Sequence, residues 1–192
     1  MNVLAVNGSP RPEGNTARLL RTVCDVLEGE GIGTEVYQLG GHAVRGCTGC
    51  YACAENKDGR CVLPDDAVSA CFEKMKAADG ILLGSPTYFA DVTAEMKALV
   101  DRAGFVARVN GDLFRRKVGA AVVAVRRGGA VHAFDTLNHF FLIGQMVVPG
   151  SIYWNLGIGL KPGEVEGDEE GLRTMTALGE NMAWVMHRLS GD

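Results

Sequence analysis

The chain has 192 residues, of which 47% are hydrophobic and 22% are charged, and its formal net charge is -4. A chain of this length suits one domain that buries about 70% of the surface that its unfolded state exposes. The composition is that of an ordinary soluble globular protein. Because the net charge is negative, it provides no electrostatic attraction to DNA, RNA or an anionic membrane, and we expect no nucleic-acid partner.

The amino terminus indicates no membrane partner either. Its sequence, MNVLAVNGSPRPEGN, has no basic segment, and its apolar run ends at Val6. No later segment approaches the roughly 20 apolar residues that a membrane span needs. We therefore expect a cytoplasmic protein. Cysteines in a reducing compartment usually remain unpaired, so clustered cysteines there indicate a metal site or a redox device rather than a disulfide framework.

Short apolar runs alternate along the chain with segments of helical periodicity. The predicted strands are 3–6, 34–39, 81–84, 117–125 and 145–151. The predicted helices are 17–27, 65–80, a segment from about residue 93, a segment after 126–134, and 169–189. Strands that are apolar on both faces and alternate with helices predict an α/β fold, with a parallel sheet covered by helices on each side. With no internal repeat or linker, we expect a single domain over residues 1–192.

Three loops are predicted to meet at one edge of this sheet, beyond the carboxyl ends of its strands. They are named here loop A (7–16), loop B (85–92) and loop C (126–131). Parallel sheets of this kind bind ligands in the crevice at that edge, near the point where the strand order reverses. The three loops are therefore the expected ligand site.

Loop A has the residue types of a phosphate site. It supplies Ser9 and Arg11, with Asn15 and Thr16 where the following helix begins. The free amides and the dipole of a helix N-terminus favour a bound dianion. The alternative is an ordinary turn in which Asn15 or Thr16 caps the helix. The chain lacks both the Gly-x-Gly-x-x-Gly of dinucleotide folds and the Gly-Lys-Ser/Thr of nucleotide triphosphatases, so a mononucleotide fits better.

Loop B, with the sequence SPTYFADVT continuing to residue 93, has the residue types of a pocket for a flat ring. It contains Pro86, Thr87, Tyr88, Phe89 and Asp91. Aromatic faces could cover the apolar part of a heterocycle while Thr87 and backbone amides satisfy its polar edge. The alternative is that both aromatic residues belong to the core or to an interface.

Loop C is a weaker candidate for the same pocket. Gly128 and Gly129 allow a close approach of the backbone to a ligand. The guanidinium of Arg127 could stabilise negative charge on a ring, or it could lie in solvent.

Four of the six cysteines are crowded into the segment 46–62, named here the cysteine segment. They are Cys47, Cys50, Cys53 and Cys61. Three cysteines at two-residue gaps and a fourth that completes the set are typical of iron-sulfur ligation. Zinc is a rival, although structural zinc sites usually pair two Cys-x-x-Cys motifs across a longer gap. The other rival is a set of free or redox-active thiols without metal.

Taken together, GSPRPEGNT, SPTYFADVT and RRGG resemble the three cofactor loops of the NADPH-dependent FMN reductase group in the flavodoxin-like superfamily. With CTGCYAC and Cys61 in addition, the chain most resembles the iron-sulfur flavoproteins of anaerobic prokaryotes, whose cysteine motif holds a [4Fe-4S] cluster beside FMN. The resemblance spans most of the chain. It implies a flavodoxin-like three-layer sandwich with a five-stranded parallel sheet, non-covalently bound FMN, and a homodimer or homotetramer in which the flavin and cluster of different subunits approach each other.

The same resemblance divides the FMN contacts among the three loops. The phosphate would be bound by Ser9, Arg11, Asn15 and Thr16, and the isoalloxazine would lie against Pro86, Thr87, Tyr88 and Phe89, with Asp91 in the same loop. Gly128 and Gly129, with Arg127, would lie beside the ring. The cluster ligands would be the four cysteines of the cysteine segment.

We therefore expect an FMN-dependent oxidoreductase that takes electrons from a small-molecule or protein donor and passes them through a [4Fe-4S] cluster to an acceptor. NAD(P)H could be a transient donor without a motif of its own, because it can stack on the exposed face of the flavin. One alternative is a cluster-free NAD(P)H:FMN or quinone reductase whose cysteines form a structural or redox-sensing loop. The others are a flavodoxin-like electron carrier and a zinc-stabilised, non-catalytic binding module.

Overall fold

The computed structural model describes residues 1–191, and Asp192, the last residue of the predicted domain, lies outside the described residues. Strands and helices alternate along the chain. The strands are β1 (Asn2–Asn7), β2 (Gly33–Gln38), β3 (Gly80–Pro86), β4 (Val118–Val125) and β5 (Leu156–Ile158). The helices are α1 (Asn15–Gly29), α2 (Ala52–Asn56), α3 (Ala67–Ala77), α4 (Ala94–Val109), α5 (Ala130–Ile143) and α6 (Glu169–Ser190), with a 3-10 turn at Glu164–Gly167.

The five strands form one sheet in the order β2-β1-β3-β4-β5, and every pairing is parallel. Asn7, the last residue of β1, pairs with Gln38 of β2 and Gly84 of β3, so these strands end together at one edge. The inner strands β3 and β4 are buried almost throughout, as an apolar run predicts. The edge strand β2 is mostly exposed or half-buried, so burial on both faces does not hold for it.

Helices cover both faces of the sheet and confirm the predicted three-layer architecture. Leu4 of β1 belongs to a buried apolar cluster with α3, α4 and α5. Its neighbour Val3 belongs to a second cluster with α1 and α6. Successive side chains of a strand point to opposite faces, so one short apolar run supplies both cores. Among residues 1–191, no helix is long and apolar enough to cross a membrane.

The position predicted for the last strand, 145–151, is wrong. Val147 makes a single parallel bridge to the start of β4. Pro149 has no backbone N–H to donate, and the chain leaves the sheet there. The strand itself is Leu156–Ile158, which pairs with the end of β4. Buried Asn155 supports this path, since its Nδ2 donates a hydrogen bond of 2.9 Å to a β4 carbonyl oxygen.

The cysteine segment is not the uninterrupted loop that its sequence predicts, because it contains α2. Tyr51 and Lys57 flank this short helix with φ values of 62° and 55°, in the left-handed region. Because a residue in the left-handed region interrupts a right-handed helix, these two residues confine α2 to five residues. A pattern of apolar residues cannot reveal a helix of this length, since it spans little more than one turn.

Candidate functional site

Loops A, B and C follow β1, β3 and β4 and meet at the carboxyl edge of the sheet. The N–H of Gly8 donates to the carbonyl oxygen of Gly84 at 2.8 Å. The hydroxyl of Thr93 donates to the carbonyl oxygen of Gly8 at 2.8 Å, which joins loop A to the end of loop B. The N–H of Thr87 donates to Ala124 of β4 at 2.9 Å. The three predicted loops are therefore neighbours in space.

The N-terminus of α1 opens onto this edge without a side-chain cap. Its N-cap residue is Gly14, which has no side chain to accept from the first amides. Thr16, in the first turn, is 1% exposed, and its Oγ1 is a buried atom with no hydrogen-bond partner in residues 1–191. Buried hydroxyls are nearly always hydrogen-bonded in folded proteins. An uncapped helix start beside an unsatisfied buried hydroxyl has the chemistry of an anion site.

The other predicted phosphate ligands in loop A are used in different ways. The Oγ of Ser9 accepts from the N–H of Arg11 at 3.2 Å, so this serine is buried and shapes the loop. The side chain of Arg11 is exposed. The Oδ1 of Asn15 accepts from the N–H of Gly163 at 2.9 Å, so this end of the amide holds the turn before α6. Asn15 can offer a phosphate only its Nδ2, and Ser9 can offer only its hydroxyl proton.

Loop B contains a tight turn at its tip. Tyr88 and Asp91 exchange two backbone hydrogen bonds of 2.8 and 3.0 Å. Between them, Phe89 and Ala90 have φ values of 46° and 65°, a left-handed conformation that costs free energy for residues with a Cβ. The side chain of Phe89 is fully exposed. The Oγ1 of Thr87 is buried without a hydrogen-bond partner in the described residues, the second such hydroxyl at this edge.

Loop C packs against this turn through one glycine. Gly129 has a φ of 87°, and a Cβ added to it would lie 2.8 Å from the Cα of Ala90. Gly128 is exposed and would have open space around a Cβ. The side chain of Arg127 is exposed as well. Asp91 lies 3.6 Å from the ring Nε2 of His132 in the first turn of α5, a pairing that the sequence analysis does not predict.

Replacing Gly129 with alanine should therefore disturb loops B and C together. We expect the free energy of unfolding to fall by about 1–3 kcal/mol, because alanine is strained at this φ and its Cβ meets Ala90. Affinity for the expected FMN should fall as well. Thermal melts measure the stability, and fluorescence titration measures the affinity. The matched control is Gly167→Ala, outside the three loops, where an added Cβ would meet open space; it should leave both quantities near those of the parent chain. Equal effects of the two substitutions would contradict this interpretation of loop C.

Several residues that the sequence analysis misses hold loop A in place. The Nδ2 of Asn7 donates to Gln38 at 2.7 Å, and the Nε2 of Gln38 donates to the carbonyl oxygens of Ser9 and Gly40, both at 2.7 Å. A Cβ on Gly40 would lie 2.3 Å from the backbone of Ser9. The hydroxyl of Ser85 accepts from the N–H of Thr93 at 3.1 Å. Polar residues at the ends of apolar strands are the sequence signal that could have identified them.

All four cysteines of the cysteine segment line one cavity. The other residues around it are Thr48, Tyr51, Val62, Leu63, Arg102, Phe105 and Val106. Cys47 and Cys50 are exposed, Cys61 is half-buried and Cys53 is buried. The structure therefore brings the four predicted ligands together. The remaining two cysteines, Cys24 and Cys71, are buried in the helical layers, and burial raises the pKa of Cys24 to about 11.

Local contacts change the acidity of two of these thiols in opposite directions. The pKa of Cys50 is lowered, chiefly because the backbone N–H of Ala52 hydrogen-bonds to its sulfur, with help from the side chain of Thr48. The pKa of Cys53 is raised by burial and then by the nearby Cys61 thiol. Mutual influence among the sulfurs follows from their position around one cavity. A bound cation would have the opposite effect: it would lower the pKa values of these thiols, because it favours the thiolates.

The cavity is narrow, about 20 Å³. Within residues 1–191, no three His, Cys, Asp or Glu side chains are arranged to hold a single metal ion. A group of several atoms would require the exposed part of the cysteine segment to move outward. Gly46 and Gly49 lie in that part, and a Cβ added to either would meet open space, so little packing opposes such a movement.

The rest of the cysteine segment is anchored on the end of α4. The Nδ2 of Asn110 donates to the carbonyl oxygen of Cys53 at 3.2 Å, and its Oδ1 accepts from the N–H of Gly59 at 3.0 Å. The Nζ of Lys57 donates to the carbonyl oxygen of Val109 at 2.7 Å. The ring of Tyr51 meets that of Phe105 edge to face, with centroids 5.5 Å apart. One side of the segment is thus fixed while the exposed side is lightly packed.

Solved structures show which class of fold this architecture belongs to. The crystal structure of RosB with a bound 8-demethyl-8-formylriboflavin-5'-phosphate intermediate matches with a TM-score of 0.79 and 21% identity, covering 100% of this chain and 81% of that one. A flavodoxin from the domain Archaea matches with a TM-score of 0.63 and 17% identity, covering 97% of this chain and 99% of that one. The fold is flavodoxin-like.

Sequence relatives identify the family. The model described as NADPH-dependent FMN reductase matches residues 1–161. An iron-sulfur flavoprotein of Methanocaldococcus jannaschii is 42% identical over 193 residues, covering 97% of each chain. An iron-sulfur flavoprotein of Archaeoglobus fulgidus is 37% identical over 172 residues, covering 88% of this chain and 82% of that one. The chain belongs to the NADPH-dependent FMN reductase family, and it is an FMN-dependent oxidoreductase.

Proposed function

We propose that the chain holds FMN in loops A, B and C and passes electrons between this flavin and a [4Fe-4S] cluster on the cysteine segment. The observation that carries the proposal is the pair of buried hydroxyls without partners, Thr16 and Thr87. They lie in the two loops predicted to bind opposite ends of the cofactor. A buried hydroxyl without a partner costs free energy, and a ligand that satisfies it recovers that cost.

The phosphate of FMN fits loop A. The unsatisfied Thr16 hydroxyl, the free amides of the α1 N-terminus and the exposed guanidinium of Arg11 are all donors. Donors in this number match the three strong acceptor oxygens of a phosphate. The remaining donors are the Ser9 hydroxyl and the Nδ2 of Asn15. The hydrogen bonds of Asn7 and Gln38 fix the loop, so little order has to be gained on binding.

The isoalloxazine fits loops B and C. Thr87 supplies a hydroxyl and the adjoining backbone supplies amides, while Pro86, Tyr88 and the exposed Phe89 supply apolar surface. Gly128 and Gly129 let loop C approach the ring closely, with Arg127 as a cation beside it. Asp91 acts indirectly, because its carboxylate accepts from the N–H of Val92 at 2.8 Å and lies near His132.

Four soft thiolates are the donor set of a [4Fe-4S] cluster. Zinc would require the four sulfurs to close to within about 3.8 Å of one another, given a Zn–S distance of about 2.3 Å. The described cysteines do not form such a group. The two relatives reported above are named iron-sulfur flavoproteins, which supports a cluster over zinc on this chain.

When bound, FMN exchanges electrons singly or in pairs as hydride, whereas an iron-sulfur cluster exchanges them singly. The chain's own contribution is to position the ring, to cover one face of it and to surround the thiolates with donors. The tip of loop B is exposed, so a reduced nicotinamide or a ferredoxin-like protein donor would approach the ring from this side. No described residue needs to act as an acid or base in hydride transfer itself.

We also propose that the chain is a homodimer or homotetramer. Large apolar side chains are exposed around β5, namely Ile152, Tyr153, Trp154, Ile158 and Leu160. Exposed apolar groups in this number are typical of an interface, and light scattering would measure the oligomeric state.

All six cysteines are unpaired, which supports a reducing compartment such as the cytoplasm and can be checked by cell fractionation.

The proposed function is tested by mixing the anaerobically purified protein with NADH, NADPH or reduced ferredoxin in separate experiments. Bleaching of the flavin bands by at least one donor is the expected result. The cluster should then be reduced as well, as followed by low-temperature electron paramagnetic resonance. Protein that binds FMN but is bleached by none of these donors would contradict the proposed reduction of the flavin by a nicotinamide or a ferredoxin-like donor.

One observation favours a second candidate function, a cluster-free NAD(P)H:FMN or quinone reductase. The cavity lined by the cysteines is narrow, and the sulfurs are not arranged around a single ion. Iron and acid-labile sulfide analysis of reconstituted protein separates the two functions. Protein that contains flavin but no iron, and that still oxidises NAD(P)H, would establish the second.

A further inference from the structure

Arg102 of α4 is a buried cation beside the cysteine site. Its side chain is 1% exposed, and it lines the cavity of the four cysteines. Charged residues are almost never fully buried unless other groups satisfy them. The predicted cofactor contacts do not include it, so its position needs an explanation.

Hydrogen bonds of Arg102 join the two ends of the cysteine segment. Its Nη1 donates to the carbonyl oxygen of Arg45 at 3.1 Å and to the carboxylate of Asp66 at 2.5 Å. Its Nη2 donates to the hydroxyl of Ser69 at 3.0 Å. Arg45 precedes the first cysteine, and Asp66 follows the last. One guanidinium therefore fixes both ends of the cysteine segment on α4.

One donor of this guanidinium is left over. The Nε of Arg102 is a buried atom without a hydrogen-bond partner in the part of the chain that the structure describes. Cys61 lines this cavity together with Arg102, and both residues also line a larger cavity of about 580 Å³. Burial lowers the pKa of Arg102, but its interactions with Asp66 and then with Cys61 more than offset burial and raise it.

We infer that Arg102 tunes the cysteine site: its Nε–H and positive charge are offered to the sulfur of Cys61 and favour the reduced, more negative state of a bound cluster. This inference rests on the proposed cluster. Charge and hydrogen bonds to the sulfurs are among the factors that set cluster potentials. Asp66 opposes the effect, because its carboxylate neutralises part of the guanidinium charge.

Two conservative substitutions should move the cluster potential in opposite directions. Arg102→Lys keeps a cation for Asp66 but removes Nε–H, so we expect the potential to fall. Asp66→Asn keeps an oxygen that can accept from Ser69 N–H but removes the negative charge, so we expect the potential to rise. Each shift should correspond to at least about a tenfold change in the one-electron equilibrium, or about 59 mV.

The measurement is a potentiometric titration of the reconstituted holoprotein, followed by electron paramagnetic resonance of the cluster and by absorbance of the flavin. Arg108→Lys is the matched control, since Arg108 is an exposed residue of the same helix that pairs with Asp112. The control should leave the cluster potential unchanged. All variants should keep the flavin potential of the parent chain.

The possible outcomes separate this inference from the proposed function. Opposite shifts in the two variants support the tuning role. Variants that retain the cluster with unchanged potentials overturn it alone, and so does loss of iron from both variants, because that result makes Arg102 a structural clamp only. Parent protein that binds no iron after reconstitution overturns both the cluster and this inference.

Discussion

Replacing Cys53 with serine is expected to abolish iron binding while leaving flavin binding intact. Cys53 is the most buried of the four cysteines and lies within α2. The Nδ2 of Asn110 donates a hydrogen bond to its carbonyl oxygen. A serine hydroxyl is a poor ligand for iron, and a set of three thiolates cannot complete a four-cysteine site. Iron should fall from about four atoms per chain to well below one. The absorbance shoulder of the cluster should disappear, leaving the resolved bands of FMN.

The matched control is Cys24→Ser. Cys24 is also buried in a helix, and the side chain of Thr34 is near enough to hydrogen-bond to its sulfur, so a serine there would have a partner. This variant should keep parent levels of iron and flavin. If Cys53→Ser retained the full iron content, the four-cysteine site would be wrong. If it lost flavin and iron together, flavin binding would depend on the cysteine site, contrary to this prediction.

Replacing Thr16 with valine should have opposite effects on the flavin-free chain and on the complex. Valine has nearly the same shape as threonine but lacks the buried hydroxyl that has no partner. Removing an unsatisfied polar group should leave the thermal stability of the flavin-free chain unchanged or slightly higher. FMN affinity should fall about ten- to a hundredfold, because a hydrogen bond to a charged phosphate contributes about 1.5–3 kcal/mol.

Thr22→Val is the control for this experiment. Thr22 lies in the same helix, and its hydroxyl donates to the carbonyl oxygen of Arg18 within the helix at 3.1 Å. It should change flavin affinity little. Fluorescence titration measures the affinities, and calorimetry of the flavin-free proteins measures stability. A Thr16→Val protein that is destabilised without flavin, and binds FMN normally, would show that the hydroxyl has a structural role instead.

The sheet and the position of the ligand edge could be predicted from the sequence because they depend on local patterns. Apolar runs marked β1, β3 and β4, and helical periodicity marked the long helices between them. In parallel sheets of this class the ligand edge follows from strand direction, so loops A, B and C could be placed before their contacts were known. The crowding of four cysteines in one segment likewise predicted that they would lie together, and they line one cavity.

The features that the sequence did not reveal depend on contacts between distant residues. Asn15 and Thr16 are both polar residues at the start of α1, yet the side-chain oxygen of Asn15 is taken by the N–H of Gly163, which is 148 positions away. Arg102 is 41 positions beyond Cys61, in a helix whose pattern gives no sign that this residue is buried. The last strand was misplaced because three paired residues at an edge leave almost no periodic signal.

Titration of the flavin-free protein with FMN and with riboflavin tests the proposed site most directly. The two ligands share the ring that loops B and C would hold, and they differ in the phosphate that loop A would hold. We expect FMN to bind at about one per chain and riboflavin to bind at least about tenfold more weakly, because it lacks the dianion. Equal affinities would remove the phosphate site from loop A, and failure to bind either ligand would contradict the flavin site as a whole.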